Sequence, residues 1–181
     1  MPLVIRTPDK EYYDEQTNTF SYVQGTTLKL EHSLVSISKW ESRWHKAYLA
    51  KNEKTNDELL DYINCMSLSG PIDKSILKSL GPSEKRKIMA YMEDPMTATT
   101  ISNRNKKPSR EIVTSELIYY WMTALNIPFE PCQKWHINRL LMLIEVASIK
   151  QEPPKKMSKS SALRKQSALN AARRAKYNTR G

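Results

Sequence analysis

Trp135-His-Ile-Asn-Arg-Leu-Leu-Met-Leu-Ile-Glu-Val-Ala-Ser-Ile149 is the stretch whose reading decides the fold class. Ile137, Leu140, Leu141, Ile144 and Ala147 recur at the three- and four-residue spacing of a helix, and Met142, Leu143 and Val146 fill most of the other side. A helix apolar around nearly its whole circumference belongs in the middle of a bundle. Asn138, Arg139 and Glu145 interrupt it, and it falls short of the roughly 20 apolar residues of a membrane span. No membrane partner is expected, and other helices must cover it.

Composition points the same way. The 181 residues suffice for one cored domain with an appendage, and four glycines and two phenylalanines, against eight methionines, four tryptophans and nine tyrosines, favour helices over a glycine-punctuated sandwich or barrel. Two cysteines, Cys65 and Cys132, make no disulfide framework, and no apolar leader opens the chain, so cytoplasmic residence is expected. The net charge of +10 is concentrated at one end. Residues 151–181 hold nine Lys or Arg and one acid, or +8, and residues 1–150 hold 20 bases and 18 acids, or +2. The body is electrostatically ordinary and the tail is a candidate interaction arm.

Working outward from the central helix, Thr114 opens a second strong helical pattern, with Leu117, Trp121 and Leu125 on one line and Ile118 and Met122 beside it, closed by Asn126. The stretch Ile127–Cys132, stiffened by Pro128 and Pro131, then predicts an αα-hairpin over Thr114–Ile149. Ile37, Trp40, Trp44 and Tyr48 place two indoles on one helical face that is expected to be core. The same core should hold Leu117, Trp121, Leu140, Leu141 and Ile144. Thr55-Asn-Asp-Glu58 is a capping box ahead of a helix to about Ser67 with Leu59, Leu60, Ile63 and Met66 inward. A short helical turn is expected in Ile72–Leu80, and a helix over Glu84–Glu93 capped by Ser83 and stopped by Asp94-Pro95. Leu3–Ile5, Thr19–Val23 and Thr26–Leu30 read as short strands separated by the polar run Asp9–Asn18. The expected fold is mainly α within the α+β class. It comprises a small β element (1–31, antiparallel hairpin or meander), a helical body (32–150) and a basic arm (151–181).

Catalysis finds little support. Phosphate-loop, Gly-x-Ser-x-Gly and His-Glu-x-x-His patterns are missing, and His32, His45 and His136 are scattered. Cys132 and His136 stand one helical turn apart, yet zinc needs three or four ligands and a thiol nucleophile needs an oriented base, so a structural role is expected for both. We therefore expect no catalytic residue, no metal and no cofactor. The aperiodic loop Met96–Arg110, with Arg104, Lys106, Lys107 and Arg110, is a second contact candidate beside a plain solvated reading. On the arm, Lys155, Lys156, Lys159, Arg164, Lys165, Arg173, Arg174 and Lys176 are the candidate partner-binding residues. Pro153-Pro154 separates it from the body, and Ala162–Tyr177 has helical propensity with only Leu163 and Leu169 as sizeable apolar anchors. With Tyr177 as its lone aromatic, the arm has no stacking platform. Charge alone leaves a solvated tail, a nucleic-acid arm and a protein-docking arm open.

Five segments carry a resemblance to a known group. They are Leu30-Glu-His-Ser-Leu-Val-Ser-Ile-Ser-Lys-Trp-Glu-Ser-Arg-Trp44, Met96-Thr-Ala-Thr-Thr100, Ile118-Tyr-Tyr-Trp-Met-Thr-Ala-Leu-Asn-Ile-Pro-Phe129, Gln133-Lys-Trp-His-Ile-Asn-Arg-Leu-Leu141 and Leu169-Asn-Ala-Ala-Arg-Arg-Ala-Lys-Tyr-Asn-Thr-Arg-Gly181. Together they resemble small proteins encoded among the structural genes of long-tailed bacteriophages, in the tail assembly chaperone group. The likeness covers most of the chain. The group's pattern sets Glu and Cys adjacent before Gln-Lys-Trp-His, whereas Pro131 intervenes here and detaches Cys132 from it. The resemblance implies a non-enzymatic protein that binds the tape-measure protein or other phage tail proteins in the host bacterial cytoplasm during assembly. The alternatives are a structural virion component of the tail or head-tail region, and a nucleic-acid-binding module using the arm. A homo-oligomer stays open.

Overall fold

The computed structural model describes residues 1–14, 18–101, 111–151 and 159–178. It is mainly helical, with eight helices and four short strands among the described residues. By Cα proximity it forms two compact units, Met1–Ala147 and Ser148–Gly181. The division falls between Ala147 and Ser148. No described helix is long and apolar enough to cross a membrane.

The β element is a long two-stranded ribbon rather than a three-strand meander. Strands β1 (Leu3–Arg6) and β4 (Thr27–Leu30) pair antiparallel, with Leu3 opposite Leu30. Beyond them β2 (Lys10–Asp14) pairs with β3 (Thr19–Val23), so part of the polar run expected to separate strands is itself a strand. The two ladders meet where the Thr7 amide donates to the Thr26 carbonyl (2.9 Å) and the Gly25 amide donates to Asp9 Oδ1 (2.6 Å). A Cβ on Gly25 would lie 2.4 Å from the Thr7 carbonyl oxygen, so a larger residue cannot enter without moving backbone. Alternation buries Ile5, Leu28 and Leu30 and leaves Val4 and Lys29 outside.

Helix α1 (Leu34–Trp44) starts on Ser33, whose side chain accepts from the Ser36 amide while Ser36 Oγ accepts from the Ser33 amide. Helix α2 (Asn56–Cys65) starts on the expected Thr55–Glu58 box. Helix α3 (Lys74–Ser79) follows, and α4 (Pro82–Glu93) is capped by Gly81 with Pro82 at its first position, not by Ser83. Proline fits there because that amide has no intrahelical partner to lose. Helix α5 (Ser115–Ala124) is capped by Thr114, and a short α6 (Phe129–Cys132) leads to α7 (Ile137–Gln151). α8 (Lys159–Tyr177) belongs to the second unit.

Trp40 is the largest fully buried side chain; its indole N–H donates to the Glu58 carbonyl at 2.9 Å. Trp44 stacks on it at 6.1 Å between centroids, remains half-buried, and donates its indole N–H to Asp61 Oδ2 at 2.9 Å. On α5 the innermost line is Ile118 and Met122, and Leu117 and Trp121 are half-buried. This places the buried stripe one residue over from the expected one. The helix packs more closely on α1 than on α7, so the expected hairpin is not the principal contact of α5. The Ser115 amide donates to Glu41 Oε2 of α1 at 2.8 Å, which turns the face toward that helix.

α7 is not wrapped on all sides. Ile137, Leu140 and Ile144 are buried, whereas Leu141, Met142, Leu143, Val146 and Ala147 are half-buried. Leu140→Ala should therefore lower the unfolding free energy by about 2–5 kcal/mol, and Leu141→Ala by less than about 2 kcal/mol. Urea denaturation of both variants checks this; a larger loss for Leu141 would show the half-buried face to be the true core.

Candidate functional site

Three features bear on function, and the first is α8. Lys155 and Lys156 lie outside the described residues, as do Arg104, Lys106, Lys107 and Arg110 of the 96–110 loop. Lys159, Arg164, Lys165, Arg173, Arg174 and Lys176 all lie on α8, where no residue is buried and no carboxylate occurs. Residues turn by about 100° each, so Lys165 and Lys176 share one side, Lys159, Arg173 and Arg174 a second, and Arg164 a third. Leu163 and Leu169 point about 120° apart. The helix thus has no apolar stripe for a groove, and its cations reach outward in several directions. Arg174 and Lys176 also lie in the last turn, where the helix dipole favours positive charge.

The second feature is a cleft between α2 and α4, of about 230 Å³. Each helix contributes a stripe at helical spacing: Leu59, Leu60 and Ile63 from α2, and Lys85, Ile88, Met89 and Met92 from α4. Sequence reasoning missed it by turning Leu59 and Leu60 inward. The innermost α2 residues are instead Glu58, Tyr62, Ile63 and Cys65, which leaves both leucines half-buried on the cleft wall, and Met89 is 44% exposed. The signal was present in the adjacent pair Leu59-Leu60, which widens the apolar arc of α2 beyond what one packed neighbour covers.

The third feature is a buried polar cluster where the ribbon, α1, α2, α4 and α7 meet. His32 and His136 rings lie edge-on at 5.1 Å. His32 Nδ1 is hydrogen-bonded to the Tyr62 hydroxyl, and Tyr62 stacks on Tyr48 at 3.7 Å. Tyr91 donates its hydroxyl to Glu31 Oε1 at 2.6 Å. Glu58, buried beneath α2, pairs with Lys46 at 2.5 Å and accepts from the Thr55 amide; these contacts hold its carboxyl below the usual carboxylate range. Burial pushes the Tyr62 and Tyr48 hydroxyls well above the ordinary phenol range. Tyr91 is raised by burial and then by the Glu31 carboxylate.

Neither Cys132 nor His136 is arranged for chemistry. His136 Nε2 donates to the Tyr91 carbonyl at 3.0 Å and Nδ1 accepts the Asn138 amide at 3.3 Å, so the neutral ring has no lone pair left for a metal. It fills the place of a capping side chain at the start of α7. Cys132 is buried as a free thiol, Cys65 is likewise buried with its thiol pushed up by desolvation, and His45 is exposed at the end of α1. Among the described residues no group of three or more His, Cys, Asp or Glu could hold a metal ion.

Burial, and secondarily the neighbouring His136, lowers His32 from 6.5 to about 3, and burial lowers His136 as well. The unfolded chain therefore takes up protons before the folded one. The contribution of the neutral rings is fully present above about pH 6.5 and is lost as pH falls toward the folded value. Urea midpoints should drop between about pH 7.5 and about pH 5, and His32→Gln should flatten that drop while lowering the midpoint at neutral pH. An unchanged pH profile in His32→Gln would remove this histidine from the account. No family model, no curated protein and no solved structure matches the chain.

Proposed function

We propose that this protein is a non-enzymatic factor of bacteriophage tail morphogenesis that binds the tape-measure protein or other tail components as an assembly chaperone in the host cytoplasm. The observation that carries the reading is α8, a 19-residue helix with six cations, no acid and no buried face, held in a compact unit distinct from the cored body. A helix with no buried residue gains little from its own fold, so docking on a partner would stabilise it. Cations pointing several ways suit an extended acidic surface better than a single pocket. The segments that resemble the tail chaperone group support the same reading. Leu30–Trp44, Ile118–Phe129 and Gln133–Leu141 build the core around α1, α5 and α7, and Leu169–Gly181 takes in the basic end of α8, so the likeness extends over both units.

The acid-free charge of α8 also favours a nucleic-acid reading. Phosphate contacts release counterions, so binding through this helix would weaken steeply with salt. A virion component is the remaining alternative, and mass spectrometry of purified particles separates it from a transient chaperone.

Co-expression with the tape-measure protein followed by pull-down tests the proposal. The full chain should recover the partner, and Arg173→Glu with Arg174→Glu should reduce recovery about tenfold, or about 1.4 kcal/mol, without moving the thermal midpoint. No association of the unaltered chain would reject the chaperone reading. Steeply salt-dependent duplex DNA binding with no tail-protein capture would favour the nucleic-acid reading.

A further inference from the structure

We infer that the cleft between α2 and α4 is a second docking site, which takes the apolar face of a partner's amphipathic helix with a carboxylate placed to meet Lys85. This deepens the proposed function by naming the chemistry of the partner, and rests on that reading only for who the partner is.

Size and shape argue first. At about 230 Å³ the cleft lies below the roughly 300–1,000 Å³ of a small-molecule site, and suits one or two side chains entering from above. Its two walls are helical stripes spanning Asn56 to Ile63 and Lys85 to Met92, or about two turns each. A third helix laid along them repeats that spacing and offers residues at i, i+3, i+4 and i+7. Met89 and Met92 form one lip, and methionine's unbranched, polarisable chain adjusts to varied apolar partners.

Charge then selects the partner. Lys85 is half-buried on the α4 wall, and no carboxylate of the described residues lines the cleft. Of the three acids of α2, Glu58 is engaged by Lys46 and Asp61 by Arg43 and Trp44, and Asp57 does not line the cleft. A lysine at the edge of an apolar cleft keeps its stem on the wall and its ammonium at the mouth. There an incoming Asp or Glu gains an ion pair in partly desolvated surroundings, whereas an incoming Lys or Arg is repelled. This differs from α8, whose cations are exposed and whose apolar residues form no stripe.

The test is a display selection from a library of helical peptides against the full-length chain, with Met89→Glu as counter-selection. Selected peptides should carry apolar residues at i, i+3/i+4 and i+7 with an adjacent Asp or Glu. Their affinity should fall at least about tenfold on Lys85→Glu and on Met89→Glu, and a Glu-to-Lys peptide should bind Lys85→Glu better than the unaltered chain. Met89 is exposed and Lys85 half-buried, and unchanged thermal midpoints would separate lost binding from lost fold. Selection of peptides without the helical apolar pattern, or an acidic preference unaltered by Lys85→Glu, would overturn the inference. So would concentration-dependent dimerisation abolished by Met89→Glu, since the cleft would then serve a second copy. If tape-measure capture persists in Met89→Glu, the cleft proposal fails while the function proposed above stands; if capture is absent but selection succeeds, the reverse holds.

Discussion

Between Leu30 and Ser36 the chain turns from strand into helix inside the core, where every backbone group must find a partner away from water. Those partners come from remote segments. The Glu31 amide donates to the Met66 carbonyl at 2.9 Å, the Ile137 amide donates to the His32 carbonyl at 2.7 Å, and the Val35 amide reaches the Gln133 carbonyl at 3.4 Å. Side chains repeat the pattern, since His32 engages Tyr62 of α2 and Glu31 accepts from Tyr91 of α4. An unmade hydrogen bond at such a site costs about 1–3 kcal/mol, so the ends of α2, α4 and α7 are tied to this one turn. The ribbon, α1 and the α2–α4 pair take their places from it.

That junction is polar, and its histidines and tyrosines are neutral. His32 and His136 are held uncharged by burial, and Tyr48, Tyr62 and Tyr91 stay protonated at any ordinary pH. The buried acid Glu58 keeps its charge because Lys46 and a helix cap satisfy it. A satisfied network of this kind makes one arrangement of the core much better than its neighbours. It also engages both ring nitrogens of His136. Chemistry-bearing residues are present, and each nitrogen of His136 has a structural task.

What remains for interaction is the exterior, and it divides by physical character. α8 offers charge with only scattered apolar residues; the α2–α4 cleft offers apolar surface with one cation at its edge. The first suits long-range, salt-sensitive attraction and the second short-range, shape-dependent recognition.

Local patterns determined a good deal from sequence alone. The Thr55–Glu58 box, the Thr114 cap, the helical periods of α1, α5 and α7, and the charge contrast between body and arm all depend on residues within one or two turns of each other. Periodicity also marked Trp40, Leu140 and Ile144, which are buried, and Trp44, Leu117, Trp121 and Leu141, which are only half so. Tertiary structure decided which of several apolar faces found a neighbour. Ile118 and Met122 went inward instead of Leu117 and Trp121 because Glu41 captures the Ser115 amide and sets the rotation of α5. Asp9–Asp14 entered a ribbon because Gly25 and Thr26 paired back onto Asp9 and Thr7, partners 16 and 19 residues away that no local window contains. The stretch Trp135–Ile149 shows both limits. Its helicity was written in its own spacing, but which side stayed half-buried was decided by where the other elements pack.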